Sequence, residues 1–136
     1  MKIVLDTNVL LISIPRKSRY RPIFDALLNK KISLIISQDK LSEYVEIIAD
    51  KATPSVANNV AELLLNLSNV LQVEIFYHWN LITEDKDDNK FVDATICGAA
   101  EFLVSNDKHF NVLAEVEFPP VKCISSEEFL ERMSSV

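Results

Sequence analysis

The sequence predicts an α/β protein, a central mainly parallel sheet sandwiched between helical layers, from three observations. Apolar runs such as Lys2-Ile3-Val4-Leu5 and Ser33-Leu34-Ile35-Ile36-Ser37 lack the polar alternation of a half-exposed strand, as strands covered on both faces do. Between and after these runs, apolar residues recur at helical spacing. The two patterns alternate along the chain, the order that builds βαβ units.

Lys2 to Leu5 is predicted as a central strand, closed by Asp6 before Thr7-Asn8-Val9-Leu10. Pro22 favours a helix start, and Ile23, Phe24, Leu27 and Leu28 extend one apolar face toward the second strand at 33–37. A helix from Asp39 to Asp50 carries Leu41, Tyr44, Val45 and Ile48 on one stripe. Another, from Ser55 to Leu67, carries Val56, Val60, Leu63, Leu64 and Leu67. Asn69 to Phe76 reads as a further strand. After the polar break Thr83-Glu84-Asp85-Lys86-Asp87-Asp88-Asn89-Lys90, the pattern gives a helix from Phe91 to Ala100 and a strand from Glu101 to Ser105. A last strand, Val121 to Ile124, leads through the capping-box pattern Ser125-Ser126-Glu127-Glu128 into a short helix with Phe129 and Leu130.

A chain of 136 residues that is 49% hydrophobic is long enough to bury one substantial core, so one domain over 1–136 is expected. Its apolar runs reach about half of the roughly 20 residues a membrane-spanning helix needs, and the N-terminus has no signal-peptide profile. A soluble, cytoplasmic protein without a membrane partner is expected. Cys97 and Cys123 lie far apart in apolar surroundings, which predicts buried reduced thiols. Gly98 is the only glycine, which excludes a Walker loop, a dinucleotide fingerprint and a GxSxG elbow. His78 and His109 are too far apart for an HExxH zinc motif, so any catalysis rests on acids. The net charge of -6 repels a polyanion at long range, and nucleic-acid binding then requires local cations.

Three carboxylates stand out because apolar segments lead into them or surround them. Asp6 follows the first strand, where an aspartate either caps the next turn or sits at the chemically active edge of a sheet. Asp107 leaves the strand ending in Leu103-Val104-Ser105-Asn106, and in a parallel sheet it emerges on the same edge. Asp93 lies in an apolar helix, so it is either paired or metal-bound, or partly wet near the helix N-terminus. Together they form an oxygen-rich set suited to Mg²⁺ or Mn²⁺. Ser105 and Asn106 are placed to orient a water or a carboxylate. Glu43 points away from its helix's apolar stripe and by periodicity alone is a surface residue. Asp85, Asp87 and Asp88 read as a solvated loop. The run Arg16-Lys17-Ser18-Arg19-Tyr20-Arg21 sets four of the fourteen cations beside Asp6, either as a solvated loop or as a phosphate-steadying surface.

The succession Asp6-Thr7-Asn8-Val9, then Ser37 through Leu41 to Glu43, then Asp88-Asn89-Lys90-Phe91-Val92-Asp93-Ala94, then Leu103-Val104-Ser105-Asn106-Asp107-Lys108 resembles the PIN domain. More narrowly it is similar to the VapC-like toxin ribonucleases of bacterial toxin-antitoxin pairs, from Met1 to about Ile124. The resemblance implies an α/β/α sandwich in which Asp6, Glu43, Asp93 and Asp107 bind one or two divalent cations and cleave RNA. It implies Asn8 and Ser105 as polar neighbours, and Asp88 either as a ligand beside Asp93 or as a supporting acid. An antitoxin protein and a possible homodimer are implied as partners. Arg16, Lys17, Arg19 and Arg21 are the candidate RNA contacts. Two competing readings stand beside this one. A haloacid-dehalogenase-like phosphatase also starts from an aspartate after the first strand, but Asn8 replaces its second aspartate, which would be the general acid. A non-catalytic module would use the apolar helices from Leu41 to Leu67 to bind a partner.

Overall fold

The computed structural model describes residues 1–134. Its chain runs β1 (Lys2–Leu5), α1 (Thr7–Ser13), α2 (Arg21–Leu28), β2 (Ser33–Ile36), α3 (Gln38–Lys51), α4 (Pro54–Asn66), β3 (Val70–Gln72), α5 (Asn89–Cys97), β4 (Phe102–Val104), β5 (Cys123–Ile124) and α6 (Ser126–Ser134). Two 3-10 segments, Lys86–Asp88 and Lys108–Glu115, precede α5 and follow β4. The five strands form one all-parallel sheet in the order β3-β2-β1-β4-β5. Successive residues of a strand face opposite sides, yet Ile3, Val4, Leu5, Leu34, Ile35 and Ile36 are all buried. Both faces of the sheet are therefore covered, as the unbroken apolar runs demand.

The order of the strands places the crevice. From β1 the chain crosses to β2 and β3 on one side and later to β4 and β5 on the other, so the connections diverge at β1, where α/β sheets open toward ligands. The β1–β4 ladder continues to Leu5↔Val104, whereas the β1–β2 ladder registers only Lys2↔Ser33 and Ile3↔Leu34. The sheet thus splits at its carboxyl edge, and α3 closes the split. Its Tyr44 hydroxyl donates to Leu5 O at 2.5 Å, and its Lys40 ammonium donates to Ile35 O.

Local chemistry explains the boundaries. Ser37 caps α3 by accepting from Lys40 N, Thr53 caps α4 by accepting from Val56 N, and Ser125 accepts from Glu128 N as its capping-box pattern predicts. Gly98 ends α5 against β2, where an added Cβ would lie 2.7 Å from Ile35 Cγ2. Several expectations are corrected. The strand expected over Asn69 to Phe76 is limited to Val70–Gln72, after which the chain crosses α5, and Cys97 Sγ donates to Glu74 O at 3.3 Å. Cys97 is exposed, not buried. Cys123 is half-buried, and burial pushes its thiol up to about 12, which keeps it protonated. Among the described residues, no helix is long and apolar enough to cross a membrane.

Candidate functional site

Asp6 emerges at the end of β1 level with Ser105 at the end of β4, because Leu5 and Val104 are register partners. Asp6 N donates to Val104 O at 3.0 Å, which fixes the backbone. The Ser105 hydroxyl donates to Asp6 Oδ2 at 2.6 Å and accepts from Asp107 N at 3.0 Å. One hydroxyl therefore ties two acids together. Asn8 contributes its backbone N–H to Asp6, while its side chain is exposed. Burial holds the Asp6 carboxyl above its ordinary value. Its bond from Ser105 counteracts this, and the nearby charges of Glu43 and Asp107 raise it further.

Glu43 reaches the site from α3. Periodicity alone puts it on the surface, but α3 packs against α1, α4 and α5, so its second face is also occupied. Thr7 Oγ1 donates to Glu43 Oε2, and Lys90 Nζ pairs with Glu43 Oε1 at 2.6 Å. On the opposite side, Asp107 caps the following 3-10 segment by accepting from His109 N at 2.9 Å. That cap turns the His109 ring toward two acids, with Nδ1 3.2 Å from Asp88 Oδ2 and 3.4 Å from Asp107 Oδ1. Its Nε2 lies 3.5 Å from Glu84 Oε2. Burial raises the Asp88 carboxyl to about 6, against its bond with His109, and Asp107, Asp85 and Asp6 add repulsion. The bond to Asp88 raises the imidazole in turn.

The structure brings Asp6, Glu43, Asp88 and Asp107 into one electrostatic neighbourhood, with Ser105, Thr7 and His109 as the links. Asp93 departs from the expectation. It follows Asp88 by five residues, about 140° further round a helix, and among the described residues it shares no hydrogen bond or ion pair with the groups that link Asp6, Asp88 and Asp107. Its buried carboxylate instead accepts from Trp79 N at 3.1 Å and faces His78 Nδ1 at 3.2 Å. Asp93 and Glu43 line opposite walls of a cleft of about 650 Å³ between α3 and α5, with Glu46, Asn80 and Lys90. The apolar neighbourhood that singles out Asp93 does signal burial, but the partner is a backbone strap over α5.

His109 is a site residue that the sequence reasoning missed, although its place two residues after a strand-end acid is a usable signal. Asp85, Asp88 and His109 each offer one ligand atom within 4.8 Å of the others. The combined donor set, carboxylate oxygens with one imidazole beside them, fits a hard or borderline divalent cation. Burial, with like charges adding to it, raises Asp6 and Asp88, and among the described acids of the set only Glu43 is ion-paired with a lysine, Lys90. The basic loop is more engaged than expected. Arg21 pairs with Asp25 at 2.9 Å, donates to Ile14 O and stacks on Phe24, and Arg19 pairs with Glu127. Among the described residues, Arg16 and Lys17 are exposed and take part in no ion pair.

Comparisons with known proteins bear on this geometry. A family model described as PIN domain matches residues 2–109. A VapBC2 structure from Rickettsia felis, bound to a DNA fragment from its promoter, superposes with a TM-score of 0.62 at 18% identity, covering 92% of this chain and 98% of that one. VapBC-1 from nontypeable Haemophilus influenzae superposes with a TM-score of 0.63 at 16% identity, covering 93% and 99%. The PIN domain endonuclease Utp24 does so with a TM-score of 0.51 at 15% identity, covering 91% and 84%. No curated protein matches the chain.

Proposed function

Because this chain belongs to the PIN domain family, with a fold like that of VapC chains, we propose that it is a metal-dependent endoribonuclease and the toxin of a toxin-antitoxin pair. What supports the reading is that hydrogen bonds and close contacts chain acids from separate segments at the split edge of the sheet, Ser105 joining Asp6 to the Asp107 turn and His109 joining Asp107 to Asp88, with Glu43 near enough to act on Asp6. Asp6, Glu43, Asp88 and Asp107 would hold Mg²⁺ or Mn²⁺, with His109 beside Asp88. When bound, such a cation polarises a phosphate, lowers the pKa of a water and offsets charge on a departing oxygen.

The chain's own residues do the rest. Ser105 fixes Asp6 Oδ2 and the start of the Asp107 turn, so both acids present a constant geometry. Thr7 does the same for Glu43. His109 holds Asp88 from beside the site, with its Nδ1 3.2 Å from Asp88 Oδ2. No side-chain nucleophile is needed, in keeping with the absence of a serine or cysteine triad pattern. Arg16 and Lys17 are the cations left to meet RNA phosphates. An antitoxin protein is the proposed partner, by likeness to the VapBC structures, and self-association into a homodimer is testable by sedimentation.

The experiment is incubation of pure, chelator-treated protein with mixed RNAs, with and without Mn²⁺. Cutting that appears only with the metal and vanishes in Asp6→Asn supports the reading. Metal-independent cutting, or no cutting with Mn²⁺, overturns it.

A further inference from the structure

Asp93 is the buried acid that the proposed reaction leaves unused, and its carboxylate oxygens show what it holds. Trp79 N donates to Oδ1 at 3.1 Å, and His78 Nδ1 lies 3.2 Å from Oδ2. Further along, Ile82 N and O bond the Asn89 side chain of α5 at 2.9 Å. The strap is thus pinned to α5 at both places, although it belongs to no strand or helix. Clamping an irregular segment in this way pre-organises whatever the segment displays.

What it displays is aromatic. The Tyr77 ring meets the Trp79 ring at 4.6 Å and 63°, and the Trp79 ring meets that of Phe118 at 6.1 Å and 81°. Tyr77 and Phe118 touch one ring each, so each keeps a face without an aromatic neighbour among the described residues, and they are 65% and 78% exposed. Rings left in water forgo the burial that aromatic side chains usually contribute, so a clamped, exposed set marks a contact surface. Its surroundings decide what makes the contact. His78, Asn80 and Glu117, which flank the rings in sequence, are exposed and polar, whereas the centre of a protein-docking patch is depleted of charge. His78 and Asn80 also line the cleft of about 650 Å³ that Glu43 enters from α3, so the platform opens onto the candidate site. That cleft carries Asp39, Glu46 and Asp87 as well, and it repels a bare phosphate. The uncharged bases of a single strand are what the platform can hold, by stacking.

We propose that Tyr77, Trp79 and Phe118 are a base-stacking subsite for single-stranded RNA, and that Asp93 holds this platform beside the acid cluster. The proposal takes its ligand from the ribonuclease reading, so binding and cutting are measured separately.

Trp79 is the chain's one tryptophan, and its fluorescence reports on the platform itself. The experiment titrates oligouridylate into Asp6→Asn protein in Mg²⁺ buffer, where cutting is expected to be lost, with an abasic strand of equal length as the control for phosphate contacts. Saturable quenching by oligouridylate and none by the abasic strand is the expected result. Tyr77→Ser with Phe118→Ser, both at exposed positions, should weaken that binding roughly tenfold. In the cutting protein the same pair should raise KM for RNA by a similar factor, with kcat within about twofold and Mn²⁺ affinity unchanged. Asp93→Ala should raise KM in the same way by loosening the strap, and Asp93→Asn, which keeps an acceptor for Trp79 N, replaces it if the alanine variant does not fold. Equal quenching by the abasic strand, or unchanged RNA affinity in the double variant, overturns the proposal. Loss of self-association or of antitoxin binding in the double variant, at unchanged RNA affinity, would make the patch a protein contact and also overturns it. Base-dependent quenching in a wild type that never cuts RNA would support the platform while ending the ribonuclease reading.

Discussion

At Asp88 a proton and a metal ion compete for the same oxygens. A carboxyl raised from 3.8 to about 6 in the folded state binds its proton more tightly there than in the unfolded chain, so it destabilises the fold once ionised. Asp6 is shifted in the same direction, and His109, raised by Asp88, supports stability below its unfolded pKa and loses that support as pH rises. Metal-free protein should therefore lose stability as pH climbs from about 4 through 6, which urea midpoints measured in chelator will show. Mn²⁺ affinity should rise over the same interval, since the ion must displace the Asp88 proton. Asp88→Asn and Asp6→Asn should each cut RNA more than about 100-fold more slowly, given that even outer partners of metal ligands cost ~10–100-fold. Asp93→Ala should behave differently, costing ~1–3 kcal/mol of stability by leaving Trp79 N unpaired while Mn²⁺ affinity stays within about threefold. Asp6 and Asp107 are legible in the sequence because a strand end fixes where a residue emerges. The choice between Asp88 and Asp93 is not, since burial alone does not reveal whether a metal or a backbone amide is the partner. Lys40 escapes notice because its charge masks its spacing, four residues before Tyr44.

Elements with a long apolar repeat are readable, and those built from a few polar turns are not. The helices α3 and α4 lie within a residue of their expected limits, because each repeats its apolar stripe over several turns. By contrast α1 has seven residues and the 3-10 segment after Asp107 eight, too few for a long periodic signal. Helix α5 starts earlier than its apolar pattern suggests since its first turn holds Asn89, whose amide bonds both Ile82 N and Ile82 O at 2.9 Å and so serves the preceding loop. Two substitutions probe the joints that set the site. Tyr44→Phe should cost ~1–3 kcal/mol by leaving Leu5 O unpaired beside Asp6, and thermal unfolding will report it. Gly98→Ala should cost a similar ~1–3 kcal/mol, because its Cβ overlaps Ile35 at the α5–β2 contact.

For the molecule as a whole, net charge and site charge pull in opposite directions. A chain of charge -6 attracts RNA only through local cations, and the pairing of Arg19 with Glu127 and Arg21 with Asp25 leaves Arg16 and Lys17 as the exposed cations of that loop outside any ion pair among the described residues. Replacing both by Gln should flatten the salt dependence of RNA binding by about two units of log–log slope, about one for each phosphate no longer neutralised. The parallel sheet and its split edge are foreseeable from the unbroken strands and their alternation with helices. The wiring through Ser105, Thr7 and His109 is not, because it depends on which strand ends become register partners. The central claim is that Asp6, Glu43, Asp88 and Asp107 form one cation site, and titration of Mn²⁺ into chelator-treated protein by calorimetry tests it most directly. Saturable binding that is lost in Asp6→Asn, Asp88→Asn and Asp107→Asn alike, and kept in Asp93→Ala, is the predicted result. Binding that survives loss of Asp6, or disappears only with Asp93, would contradict the account.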